Sequence, residues 1–147
     1  MKLALSEARK CRLDVPVGAL IVVNDQIIAT GFNQREESND PLGHAELIAI
    51  KKASEVLSSW RLRDATLICT LEPCPMCAEA IIQTRINTLI FGAFDAASGA
   101  AGSAFNLLCN RKGLASPEVV GGIMEDECSG LLTQFFASKR IERDAQE

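Results

Sequence analysis

The stretch Thr70-Leu71-Glu72-Pro73-Cys74-Pro75-Met76-Cys77 closes a segment that opens with Asp40-Pro41 and His44-Ala45-Glu46. His44 is the only histidine in the chain. With Cys74 and Cys77 it offers three ligands of the kind zinc prefers, and three protein ligands on a tetrahedral ion leave the fourth position for a water. Pro75 has a fixed φ and no N–H, which suits the first position of a helix, so Cys74 is expected as the cap and Cys77 in the first turn. Both sulfurs then sit at the positive end of a helix dipole, which favours the thiolate form. His44 and Glu46 are two residues apart. On a mid-helix face that spacing separates them by about 200°, so they converge only at a helix end. The expectation is a metal held between the N-termini of two helices, the first running to about Leu57.

Glu46 supplies what a structural zinc site lacks. A carboxylate beside a metal-held water can take its proton and return it to a leaving group, so one residue serves as general base and then general acid. The pattern H-x-E followed by P-C-x-x-C is that of zinc nucleobase deaminases, and it points to hydrolytic deamination. A lone C-x-x-C would read equally well as a redox pair or a structural knuckle.

Outward from this segment, an apolar run over Val15 to Val23, a turn at Asn24-Asp25-Gln26 and a second run over Ile27 to Phe32 predict a hairpin of buried strands. Gln34 to Gly43 reads as a polar loop at the mouth of the site. Leu47, Ile50, Ala53 and Leu57 mark one face of the helix over Ala45 to Leu57. The strands Ala65 to Thr70 and Asn87 to Phe91 flank the cysteine-bearing helix, which predicts a parallel pair with ligands beyond the carboxyl ends of its strands. Lys2 to Leu13 carries Leu5, Ala8 and Cys11 at helical spacing. Gly92 to Gly102 reads as a loop grading into a short helix near Cys109, and residues 110–117 as a second loop. Glu118 to Gly121 is a candidate last strand, and the apolar spacing of Met124, Cys128, Leu131, Leu132 and Phe135 marks a final helix.

At 147 residues and 48% hydrophobic, one domain spanning 1–147 buries about 70% of its unfolded surface. The longest apolar runs are strand length, which excludes a helical membrane span, and the first residues turn charged too early for a signal peptide. A cytoplasmic location is expected. There Cys11, Cys69, Cys109 and Cys128 read as small buried apolar residues rather than disulfides. The net charge is −4, so any contact with nucleic acid must be a local patch. Arg61, Arg63, Arg111, Lys112, Lys139, Arg140 and Arg143 are its candidates.

Val15-Pro16-Val17-Gly18-Ala19, Asn33, Asp40-Pro41 with His44-Ala45-Glu46, Thr70 to Cys77, and Phe91-Gly92-Ala93 with Asp95 and Gly99 to Ser103 together resemble the bacterial tRNA-specific adenosine deaminases. These belong to the cytidine/deoxycytidylate deaminase superfamily, and the likeness covers nearly the whole chain. The resemblance implies a three-layer α/β/α fold on a five-stranded mixed sheet, one zinc ion per subunit, a homodimer, and conversion of adenosine to inosine at the wobble position of a tRNA anticodon loop. By position it assigns His44, Cys74 and Cys77 to the metal, Glu46 to proton transfer, Asn33 to the purine and Asp95 to the neighbourhood of the ribose. The alternative within enzymes is a deaminase of a free nucleobase or nucleotide, of guanine or cytosine type, because the zinc machinery is shared.

Overall fold

The computed structural model describes residues 1–109 and 111–146. The sheet begins at one edge with the hairpin of β1 (Gly18–Val23) and β2 (Gln26–Phe32). Asn24 and Asp25 both take positive φ, 49° and 61°, the pairing required by a tight two-residue turn whose twist matches the strands. β3 (Ala65–Leu71) lies antiparallel to β1, whereas β4 (Thr88–Ala93) and β5 (Glu118–Val120) continue in parallel from it. The strand order is β2-β1-β3-β4-β5, one mixed five-stranded sheet.

Helices cover both faces. A Cβ on Gly18 would strike α1 (Lys2–Ala8), and a Cβ on Gly31 would strike α3 (Ala45–Leu57). Gly31 pairs with Ala19, the residue after Gly18, and successive strand residues point to opposite faces, so α1 and α3 lie on opposite sides. α4 (Pro75–Gln83) packs beside α3, where Ala49, Ile50, Ala53, Ala78, Ile81 and Ile82 share the main core. α5 (Glu125–Asp144) joins α1 on the other side through Cys128, Leu5 and Ala93.

Several local expectations are corrected. The first helix stops at Ala8 rather than Leu13, because residues 9–17 turn back to meet the strand end at Asn33, whose N–H donates to the Val17 carbonyl at 3.1 Å. β1 begins only at Gly18. Pro16 lacks a donor for a ladder, and the Val15 carbonyl accepts from Asn33 Nδ2 at 2.9 Å. The 34–43 loop contains a one-turn helix, α2 (Arg35–Ser38), whose first N–H groups donate to the buried Asp14 carboxylate at 2.9 to 3.4 Å. Among the described residues, no helix forms near Cys109. Leu107 N instead donates to the Ala100 carbonyl at 3.0 Å and Asn106 bridges Ala101, folding the segment onto its own loop. Met124 caps α5 in the left-handed region, at φ 54°, rather than lying within it. On α3 the buried stripe is Ala45, Ala49, Ile50 and Ala53, while Leu57 is exposed. Asn110, the first residue of the expected 110–117 loop, lies outside the described residues.

Candidate metal centre and substrate pocket

α3 and α4 present the metal-binding set at their first turns. His44 is the N-cap of α3 in an extended conformation, φ −80° and ψ 142°. Its N–H turns back onto the Leu42 carbonyl at 2.7 Å. Cys74 caps α4 in a similar conformation, Pro75 takes the first helical position, and the buried Cys77 follows two residues later. The sulfur atoms of Cys74 and Cys77 lie 3.6 and 3.5 Å from His44 Nδ1. Tetrahedral bonds of about 2.3 Å to sulfur and about 2.0 to 2.1 Å to nitrogen place those atoms about 3.6 Å apart. The spacing therefore fits zinc, with Nδ1 as the imidazole ligand.

The acid–base balance of the three groups points the same way. Hydrogen bonding with Cys77 pulls the Cys74 thiol down to about 4. The Cys77 thiol is pushed far up by the same contact and by burial. The first sulfur ionises readily and the second resists beside it, as two like charges at close range must. A dication removes that conflict and lets both ligate as thiolates. His44 is raised chiefly by its hydrogen bond with Cys74.

Glu46 occupies the second helical position of α3 and is 4% exposed. Burial lifts its carboxyl to about 6, a value at which it can both accept and donate a proton near neutrality. His44, Glu46 and Cys74 face a cavity of about 1000 Å³ that Asn33 and Asp95 also line. Asn33 is anchored on both sides, its Nδ2 donating to Val15 O and its Oδ1 accepting from Ala45 N, each at 2.9 Å. One amide hydrogen and one oxygen lone pair remain for a ligand. The Asp95 carboxylate accepts from Ala97 N, Ser98 N and Ser98 Oγ at 3.0, 3.2 and 2.8 Å. Phe94 and Phe136, both about half exposed, stand at the rim. A second depression of about 710 Å³, beside Arg9, Arg12 and Glu37, holds none of these chemical groups.

Five of the six site residues expected from the sequence thus line one cavity, and the sixth, the buried Cys77, lies against His44 behind it. Sequence reasoning passed over Glu72, which is buried at its edge and bonded to the 95–103 loop. A charged residue between Leu71 and Pro73, at the end of a buried strand, was the available signal. Of the candidate basic patch, Arg111, Lys139 and Arg143 pair with carboxylates. Arg111 makes a two-pronged contact with Glu79 at 2.6 and 2.9 Å, Lys139 pairs with Glu142 at 2.9 Å, and Arg61 lies over the Trp60 ring. Cys69 and Cys128 are buried as expected, whereas Cys11 and Cys109 are only partly so.

Residues 1–93 match the family model for the cytidine and deoxycytidylate deaminase zinc-binding region. The tRNA-specific adenosine deaminase of Bacillus subtilis is 44% identical over 147 residues, covering 99% of this chain and 91% of that protein. That of Agrobacterium fabrum is 42% identical, covering 97% and 95%. A solved structure from a study of A-to-I editing by tRNA:A34 deaminases at the wobble position of transfer RNA superposes with a TM-score of 0.85 at 41% identity, covering 89% of this chain and 96% of the other. The chain belongs to the cytidine and deoxycytidylate deaminase family, in its branch of tRNA-specific adenosine deaminases.

Proposed function

We propose that this chain converts adenosine to inosine at the wobble position of a tRNA anticodon, and that Glu46 carries the proton transfers. The observation that carries the reading is the buried acid beside a three-ligand zinc site at the floor of a cavity. A site closed by four protein ligands would be structural; this one leaves a position for substrate water.

Zinc held by His44, Cys74 and Cys77 would acidify a water and polarise it for attack. Glu46 takes the proton that water gives up as its oxygen bonds to C6 of the adenine, and delivers it to N1. Glu46, again ionised, then takes the proton of the C6 hydroxyl and passes it to the exocyclic amine, so that the C6–N bond breaks, ammonia departs and a C6 carbonyl remains. Glu46 is suited to both halves because burial keeps its carboxyl near the pH at which it works. The free hydrogen and lone pair of Asn33 would serve a purine edge, and Asp95, on the wall of the same cavity, would serve the ribose. C6 is reachable only when the base is splayed from its stack, which an unpaired anticodon loop permits at lower cost than a duplex. The same reading extends to a homodimer working in the cytoplasm; no described helix is long and apolar enough to cross a membrane.

The experiment is a substrate panel. Purified protein is incubated with unmodified tRNA bearing adenosine at the wobble position and, separately, with guanine, cytosine, cytidine and adenosine, and products are read by mass spectrometry. Inosine in the tRNA is expected. Turnover of a free base with the tRNA unchanged would replace this reading by the free-nucleobase alternative.

A further inference from the structure

The acid next to the metal-bearing turn has no part in the chemistry above, yet it is 2% exposed and fully bonded. Glu72 Oε2 accepts the Asp95 N–H at 2.9 Å, and Oε1 accepts those of Ala101 and Ser103 at 3.1 and 3.0 Å. The backbone repeats the link. Glu72 N donates to the Ala93 carbonyl at 2.8 Å, and Ala100 N donates to the Pro73 carbonyl at 2.7 Å. A Cβ on Gly99 would collide with the Glu72 carboxylate, so the loop passes over the acid at a distance only glycine permits.

We propose that Glu72 is a positioning residue that fixes the 95–103 loop, and with it Asp95, against the turn that carries Cys74. Three N–H donors converging on one carboxylate are charge-assisted bonds, stronger than their neutral counterparts. They join the loop that walls the substrate cavity to a residue only two positions from a metal ligand. The Asp95 side chain is oriented by Ala97 and Ser98 of that loop, and its own N–H is the anchor on Glu72. Glutamine in place of Glu72 conserves the volume but turns one acceptor into a donor. Whichever way that amide sits, at least one loop N–H faces another donor and is released.

The substrate side of this inference rests on the deaminase reading; the positioning itself does not. The test compares wild type, Glu72→Gln, Asp95→Ala and the double variant on an anticodon stem-loop with adenosine at the wobble position, with zinc content measured for each. Glu72→Gln should hold its zinc, keep kcat within about threefold and raise KM about tenfold, the pattern of lost binding rather than lost chemistry. The double variant should be within about twofold of the worse single one, as expected when two residues act as a unit. Loss of zinc, a fall in kcat at unchanged KM, or multiplicative effects on KM would overturn the proposal. Amide hydrogen exchange on the zinc-loaded protein needs no substrate. In Glu72→Gln, exchange at Asp95, Ala101 or Ser103 should accelerate at least about tenfold while α4 keeps its protection. Unchanged protection across the loop overturns the positioning role, whereas a wild-type chain that makes no inosine overturns only the assigned reaction. Should Glu72→Gln not fold, Glu72→Asp, which keeps the charge but withdraws it from the three loop N–H groups by one methylene, carries the same expectations.

Discussion

Glu46 is the residue on which the chemistry turns, and its burial has a consequence that can be measured without substrate. Its carboxyl lies at about 6 in the folded chain, against an ordinary 4.5, because burial disfavours the charged form. The folded state therefore binds this proton more tightly than the unfolded state. The stabilisation it brings is complete below pH 4.5 and is lost as the pH rises through about 6. A shift of that size corresponds to about 2 kcal/mol. After chelation of the metal, Glu46→Gln should gain about 2 kcal/mol relative to wild type between pH 4 and pH 7 in urea unfolding, since glutamine cannot ionise. A difference that is flat with pH would contradict the burial argument. With zinc restored, the same variant should retain the metal and lose turnover by about 10²- to 10⁴-fold.

At the scale of elements, the site depends on how closely α3 lies on β2. A Cβ on Gly31 would strike the Ala45 carbonyl and come within 3.0 Å of Ala49 N. The small residues Ala45, Ala49 and Ala53 are fully buried along that contact. Gly31→Ala should therefore push the helix that presents His44 and Glu46 off its seat, costing about 1 to 3 kcal/mol in denaturant unfolding and weakening zinc in a competition assay. Unchanged midpoint and unchanged affinity would show that the helix tolerates the displacement. The hairpin, α3, β3, α4 and β4 were legible in the sequence because each rests on its own apolar pattern, turn residues or proline. α2 was not, because its donors are satisfied by Asp14, at least 21 residues earlier in the chain. The helix expected near Cys109 failed for the same kind of reason, a pairing of Asn106 with Ala101 that no local propensity records.

For the molecule as a whole, the metal site could be read from spacing because ligand chemistry narrows the choice to one histidine and a proline-flanked cysteine pair. The charged surface could not. Arg111 sits against Glu79, 32 residues earlier, a pairing that depends on the fold, whereas Lys139 and Arg143 pair with their near neighbours Glu142 and Asp144. Glu72 was hidden likewise, its partners lying 23 to 31 residues away. The carboxyl ends of the sheet deliver two helix N-termini to one point, with a cavity above them. Zinc K-edge X-ray absorption on the zinc-loaded protein tests that arrangement most directly. Two sulfur ligands at about 2.3 Å and two nitrogen or oxygen ligands at about 2.0 to 2.1 Å are expected, one of the latter exchangeable with solvent. A shell of three or four sulfurs, or one with no solvent ligand, would contradict it.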